Sequence, residues 1–159
     1  MEEVFEKQYA LLKDSRKIVL DFIETQVGRD LNTPVPAYCN NTINNLLEHT
    51  AQCYFHWLAY FALDQPQGSL TELDFTTLEM IRRQYGRVDE VMATFLGNFA
   101  GKMENPIDGM HSRNGRVIAT PLQVFTHVLT HEFHHKGQIM SMCRLLGHIP
   151  PETDLSLFF

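Results

Sequence analysis

Apolar positions recur at helical spacing over four long stretches of the chain. From about Glu2 to Gln26, Val4, Phe5, Leu11, Leu12, Ile18, Val19, Phe22 and Ile23 line one stripe, which predicts a first helix. "VGRDLNTPVPAYCNN" interrupts it with Gly28, Pro34 and Pro36. A second helix is expected from near Asn41 to about Leu63, with Asn40 or Asn41 as its cap. "DQPQGS" ends that pattern. Thr76 and Glu79 stand at capping-box spacing and start a third helix that runs towards Phe99, and Ser69 with Glu72 marks an earlier, shorter turn.

The pattern changes at "MHSRNGRVIAT". Asn114-Gly115 between β-capable flanks predicts a small hairpin around a type I′ turn, with an irregular loop as the alternative. In "TPLQ", Thr120 caps, Pro121 takes the first helical position and Gln123 completes a capping box. The fourth helix extends to about Leu146, where Gly147 provides a left-handed stop and Pro150-Pro151 forbids continuation. Four amphipathic helices of this length bury their stripes best as an all-α four-helix bundle.

Length leaves room for one domain, residues 1–159, since domains commonly run about 100–150 residues. A chain of this size buries enough surface to fold without a disulfide or a metal. The net charge of −6 argues against a nucleic-acid partner, which would need a dense basic face. No apolar run approaches the roughly 20 residues of a membrane span. The opening "MEEVFEKQYA" is acidic where a secretory signal is basic, and Cys39, Cys53 and Cys143 are odd in number and widely separated. The expectation is a cytoplasmic protein with reduced thiols.

Chemistry concentrates in "THEFHHKGQI". His127, His131 and His135 are spaced by four, so each lies one turn above the last on one face, and His131 and His135 can aim at one point. His134 stands about 100° away and does not share that focus. Two imidazoles do not make a site, and "NLLEHTAQCYFHW" offers the third in His49, on a partly apolar stripe with Leu46, Leu47 and Trp57. Three neutral imidazoles leave a coordination position open, the catalytic rather than the structural pattern, and suit zinc, nickel or ferrous iron. The bland reading is an ordinary solvated (i, i+4) histidine pair. Cys53 reads as a small buried hydrophobe, and His127 as a supporting or surface group. Nothing chemical is assigned to His56, His111 or His148. Glu48 and Glu132 read as surface charges rather than as a general base, because helical neighbours diverge by about 100°. Gly137, which costs about 1 kcal/mol inside a helix, is either a place of close approach or a tolerated weak point. Gln138 either joins a hydrogen-bond network or faces water.

"NGRVIATPLQVFTHVLTHEFHHKGQIMSMCRLLGHIPPETDL" resembles the last helix and flanks of the DinB/YfiT-like family of metalloenzymes, with Lys136 where the family usually has arginine. "NNLLEHTAQCYFHWL" is similar to its second-helix element, a histidine followed eight positions later by tryptophan, here His49 and Trp57. The likeness covers nearly the whole chain. It implies an up-down-down-up bundle with a long connection between helices two and three. It also implies a divalent metal on three histidines that map to His49, His131 and His135, and often a homodimer. The apolar tail "LSLFF" is consistent with a dimer, and also with packing on its own bundle.

Relatives implied by the resemblance include bacillithiol and mycothiol S-transferases and a mycothiol-dependent isomerase; others are regarded as candidate hydrolases. The expected function is therefore a metal-dependent enzyme acting on a small molecule, by thiol transfer with a low-molecular-weight thiol as cosubstrate, or by hydrolysis. A non-catalytic metal-binding or stress-response protein is the alternative.

Overall fold

The computed structural model describes residues 2–66, 74–111 and 115–158. Helix α1 spans Glu2–Phe22 and widens into a π-helical turn over Ile23–Val27. Gly28, at φ +53°, closes that turn by donating its N–H to the carbonyl of Ile23. Helix α2 is Ile43–Tyr54 and continues as π-helix through Phe55–Ala62. Helix α3 covers Leu78–Asn98 and α4 covers Pro121–Leu145. Between them, β1 (Ile107–His111) pairs antiparallel with β2 (Gly115–Ala119).

The caps follow backbone geometry more than residue type. Asn40 is left-handed at φ +60°, so it cannot cap α2. Thr42 is extended, lies directly before the first helical residue and accepts from the N–H of Asn45 at 3.0 Å. Likewise Thr77, not Thr76, caps α3 by accepting from the N–H of Met80, while Thr76 bonds back to Asp74. The expected box of Thr76 with Glu79 does not form. Thr120 and Gln123 do form theirs at the start of α4, and Gly147 at φ +90° ends that helix. The Ser69–Glu72 turn lies outside the described residues.

Contacts between helices settle their directions. Arg82, near the start of α3, meets Asp21 and Glu24 at the end of α1, whereas Asp89 further along meets Arg16; α1 and α3 are antiparallel. Phe5 packs on Phe125 and Arg16 on Glu132, so α1 and α4 run together. His49 faces His131 and His135 while Trp57 faces His127, which makes α2 antiparallel to α4. Tyr85 bonds to the carbonyl of Leu47 and Arg87 lies over Phe55, so α2 and α3 are parallel. The bundle is up-down-down-up, as the resemblance implies.

Its core is apolar and continuous, from Leu12 and Ile23 through Leu47, Phe55, Val88, Met92 and Phe95 to Val128 and Met142. Among the described residues, no helix is long and apolar enough to cross a membrane. The hairpin leans on the π-helical end of α2, where a Cβ at Gly109 would come within 3.0 Å of the Phe61 ring. Gly115 pairs with His111, so it opens β2 instead of sitting inside a two-residue turn as its sequence suggests. Asn114 lies outside the described residues.

The tail is anchored to its own bundle. The carbonyl of Thr153 accepts from Ser15 Oγ at 3.0 Å and from Lys136 Nζ at 2.8 Å, and Leu155–Phe158 packs against α1. Leu157 nevertheless stays 50% exposed.

Candidate metal centre

Helix α4 carries a histidine cluster on one face and half of a buried ion pair on another. On one face, His131 and His135 bring their rings to a centroid distance of 4.4 Å, with the Nε2 atoms 3.2 Å apart. The ring of His49, arriving from α2, is 4.9 Å from each. One nitrogen from each of the three lies within 4.8 Å of the others. The structure thus gathers the three histidines that the sequence singles out. His134 and His127 stay outside the group; His127 points its Nε2 at Cys53 Sγ, 3.7 Å away, and its ring at Trp57.

These nitrogens are suited to a cation. Burial, and then the neighbouring His135, His49, His127 and His134, push His131 down to about 4. Burial also lowers His135, although its hydrogen bond to Gln138 pulls the other way. Both are neutral at pH 7 and present lone pairs. Two nitrogens bound at 2.0–2.1 Å to one ion at a near-tetrahedral angle stand about 3.3 Å apart, and the observed 3.2 Å matches that bite. His49 is the exposed member, so its ring can turn to close the set. The donor set and its spacing fit a divalent metal. Among the described residues the group contains no carboxylate and no thiolate. Cys53 is buried, and burial pushes its thiol up to about 12, so it is the small inert hydrophobe that its position suggests.

The second face holds a buried ion pair. Glu132, expected at the surface, is only 7% exposed and so is Arg16. Arg16 grips the carboxylate with both prongs, Nε to Oε1 at 2.7 Å and NH2 to Oε2 at 2.8 Å. Tyr54 of α2 donates to Oε2 at 2.6 Å. Arg16 also reaches Asp89 of α3 at 2.8 Å and stacks over the ring of Tyr85 at 4.7 Å. Burial alone would lower the pKa of Arg16, but the carboxylate beside it holds the guanidinium well above its ordinary value. Burial, reinforced by Glu132, raises Tyr54, which keeps its hydroxyl as a donor.

A signal for this pair does exist in the sequence. Arg16 lies between Leu12 and Val19 on the apolar stripe of α1, and Glu132 lies four residues after Val128 on that of α4. A charge on a core stripe requires a partner.

Four further positions resolve. Gly137 is exposed, and a Cβ there would meet nothing within 4 Å, so no neighbouring helix among the described residues makes a close approach there. Gln138 does join a network, with its Oε1 2.7 Å from His135 Nδ1. Among the described residues Glu48 bonds locally to Gln52, and His148 pairs with Asp30 at 3.0 Å, away from the cluster.

A model of the DinB family matches residues 1–159, the whole chain, and the chain belongs to that family. No curated protein matches it.

Proposed function

We propose that this member of the DinB family is a metal-dependent enzyme acting on a small molecule, with His49, His131 and His135 as the ligands of one divalent ion. The observation that carries the reading is the convergence of three imidazoles from two helices within 4.8 Å. When bound, such an ion supplies Lewis acidity that stabilises a thiolate or lowers the pKa of water towards about 7. The protein's own contribution is geometric. Helix α4 holds His131 and His135 at a fixed bite, Gln138 holds the ring of His135, and exposed His49 leaves the ligand group open to solvent. Three protein ligands leave a position for substrate.

Transfer of a low-molecular-weight thiol to an electrophile is favoured over hydrolysis. A general base would assist hydrolysis even of metal-activated water, and Glu132, one of the two carboxylates adjacent in sequence to a proposed ligand, is engaged by Arg16 and Tyr54. A thiol needs less help, because its ordinary pKa is already about 8.5. The test is direct. Protein purified from unsupplemented cells is assayed for metal, then incubated with thiols and electrophiles with and without a chelator. Metal near one equivalent and chelator-sensitive conjugation are expected. Metal retained in full by the His49→Ala, His131→Ala and His135→Ala variants would remove the assignment, and bound metal without turnover across a broad panel would favour a metal-binding role.

A further inference from the structure

We infer that Gln138 is a positioning residue for the metal centre: its side-chain oxygen holds the proton of His135 on Nδ1, which leaves Nε2 as the lone pair facing His131 and His49. The inference rests on the three-histidine reading above and concerns which nitrogen of one ligand is available.

A neutral imidazole carries one N–H and one lone pair, and the hydrogen bond made by one nitrogen decides the role of the other. Gln138 follows His135 by three residues on α4, so the two side chains lie on one face about one turn apart. Gln138 Oε1 stands 2.7 Å from Nδ1, a short contact in which an amide oxygen accepts and the ring nitrogen donates. The opposite face of the ring is where the chemistry lies: Nε2 of His135 is 3.2 Å from Nε2 of His131, and the ring is 4.9 Å from that of His49.

With the proton on Nδ1, Nε2 points a lone pair into the group. With the proton on Nε2, an N–H would point there and no cation could be held. The arrangement is asymmetric. Among the described residues the buried Nδ1 of His131 has no hydrogen-bond partner, so His131 receives no such fixing from its own far nitrogen. The orientation of the pair therefore depends on Gln138. Hydrogen bonds of this kind to a ligating histidine raise its basicity, and their loss typically weakens metal binding by about 10–100-fold.

The experiment uses the full chain with Gln138→Leu, which keeps the bulk and removes the acceptor, and Gln138→Glu, which keeps an acceptor. Zinc affinity is measured by chelator competition, and ring nitrogen shifts of His135 are recorded by NMR on the metal-free proteins. Wild type should show a protonated Nδ1. Gln138→Leu should lose that preference and bind zinc about 10–100-fold more weakly, while Gln138→Glu binds at least as well as wild type. Circular dichroism should be unchanged in all three. A protonated Nε2 in wild type, or a Gln138→Leu protein with unchanged tautomer and affinity, would overturn the inference and leave the three-histidine site standing. If wild type binds no zinc or nickel, the site reading fails, and the tautomer measurement still decides what Gln138 does to the ring.

Discussion

The hydroxyl of Tyr54 donates to the carboxylate of Glu132 across 2.6 Å, and so joins the two helices that carry the histidines. Glu132 follows His131 directly. The bond that fixes Glu132 towards Arg16 thereby fixes the rotation of α4, and with it the direction in which His131 and His135 look. The site and the buried ion pair are two faces of one helix under one constraint.

Removing the carboxylate should be costly. Glu132→Ala leaves Arg16 buried beside Tyr9, Tyr54 and Tyr85 with Asp89 as its remaining anion. The expected loss is about 3–5 kcal/mol, the usual consequence of stranding one partner of a buried pair. Chemical denaturation measures it; a loss below about 1 kcal/mol would mean the pair is solvated.

Gly137→Ala should stabilise. The position is exposed, mid-helix, and the added methyl meets nothing. A gain of up to about 1 kcal/mol, or roughly 2–4 °C in Tm, is expected from propensity alone. A drop in activity with the gain in stability would show that substrate or a second molecule uses this surface.

Gly109→Ala has the opposite sign. Its methyl would press on the ring of buried Phe61 at 3.0 Å, in the seam between hairpin and α2. Overpacking of this kind costs about 1–3 kcal/mol, read as a lowered denaturation midpoint.

Acid should weaken the metal-free protein through His131. Its folded pKa, about 4, lies below the ordinary value near 6.5, so between these the unfolded chain binds the extra proton. Stability is present above about pH 6.5 and is lost progressively as pH falls towards 4. Melting curves across that window should slope downward, and His131→Gln should flatten the slope.

Metal should raise stability by mass action. At a free concentration 100 times Kd the gain is about 2.7 kcal/mol. A chelator should reverse it, and His49→Ala should reduce it without loss of helical signal, since His49 is exposed.

Local physics made much of this protein readable from its residues alone. Thr120, Pro121 and Gln123 start α4 by hydrogen bonds that close within three residues, and Gly147 stops it. The fourfold spacing of His131 and His135 guarantees a shared face, because helical pitch depends on nothing outside the helix. Capping at the other helices was less legible. Thr42 and Thr77 win over Asn41 and Thr76 through backbone torsions that the preceding turns impose.

What tertiary structure alone decided was rotation and register between helices. That is why Glu132 is core and not surface, why His49 completes the histidine group, and why the tail lies on α1. Each of these depends on how one stripe meets another across the bundle. Helical periodicity says which residues share a face, but only packing of all four helices selects what that face meets.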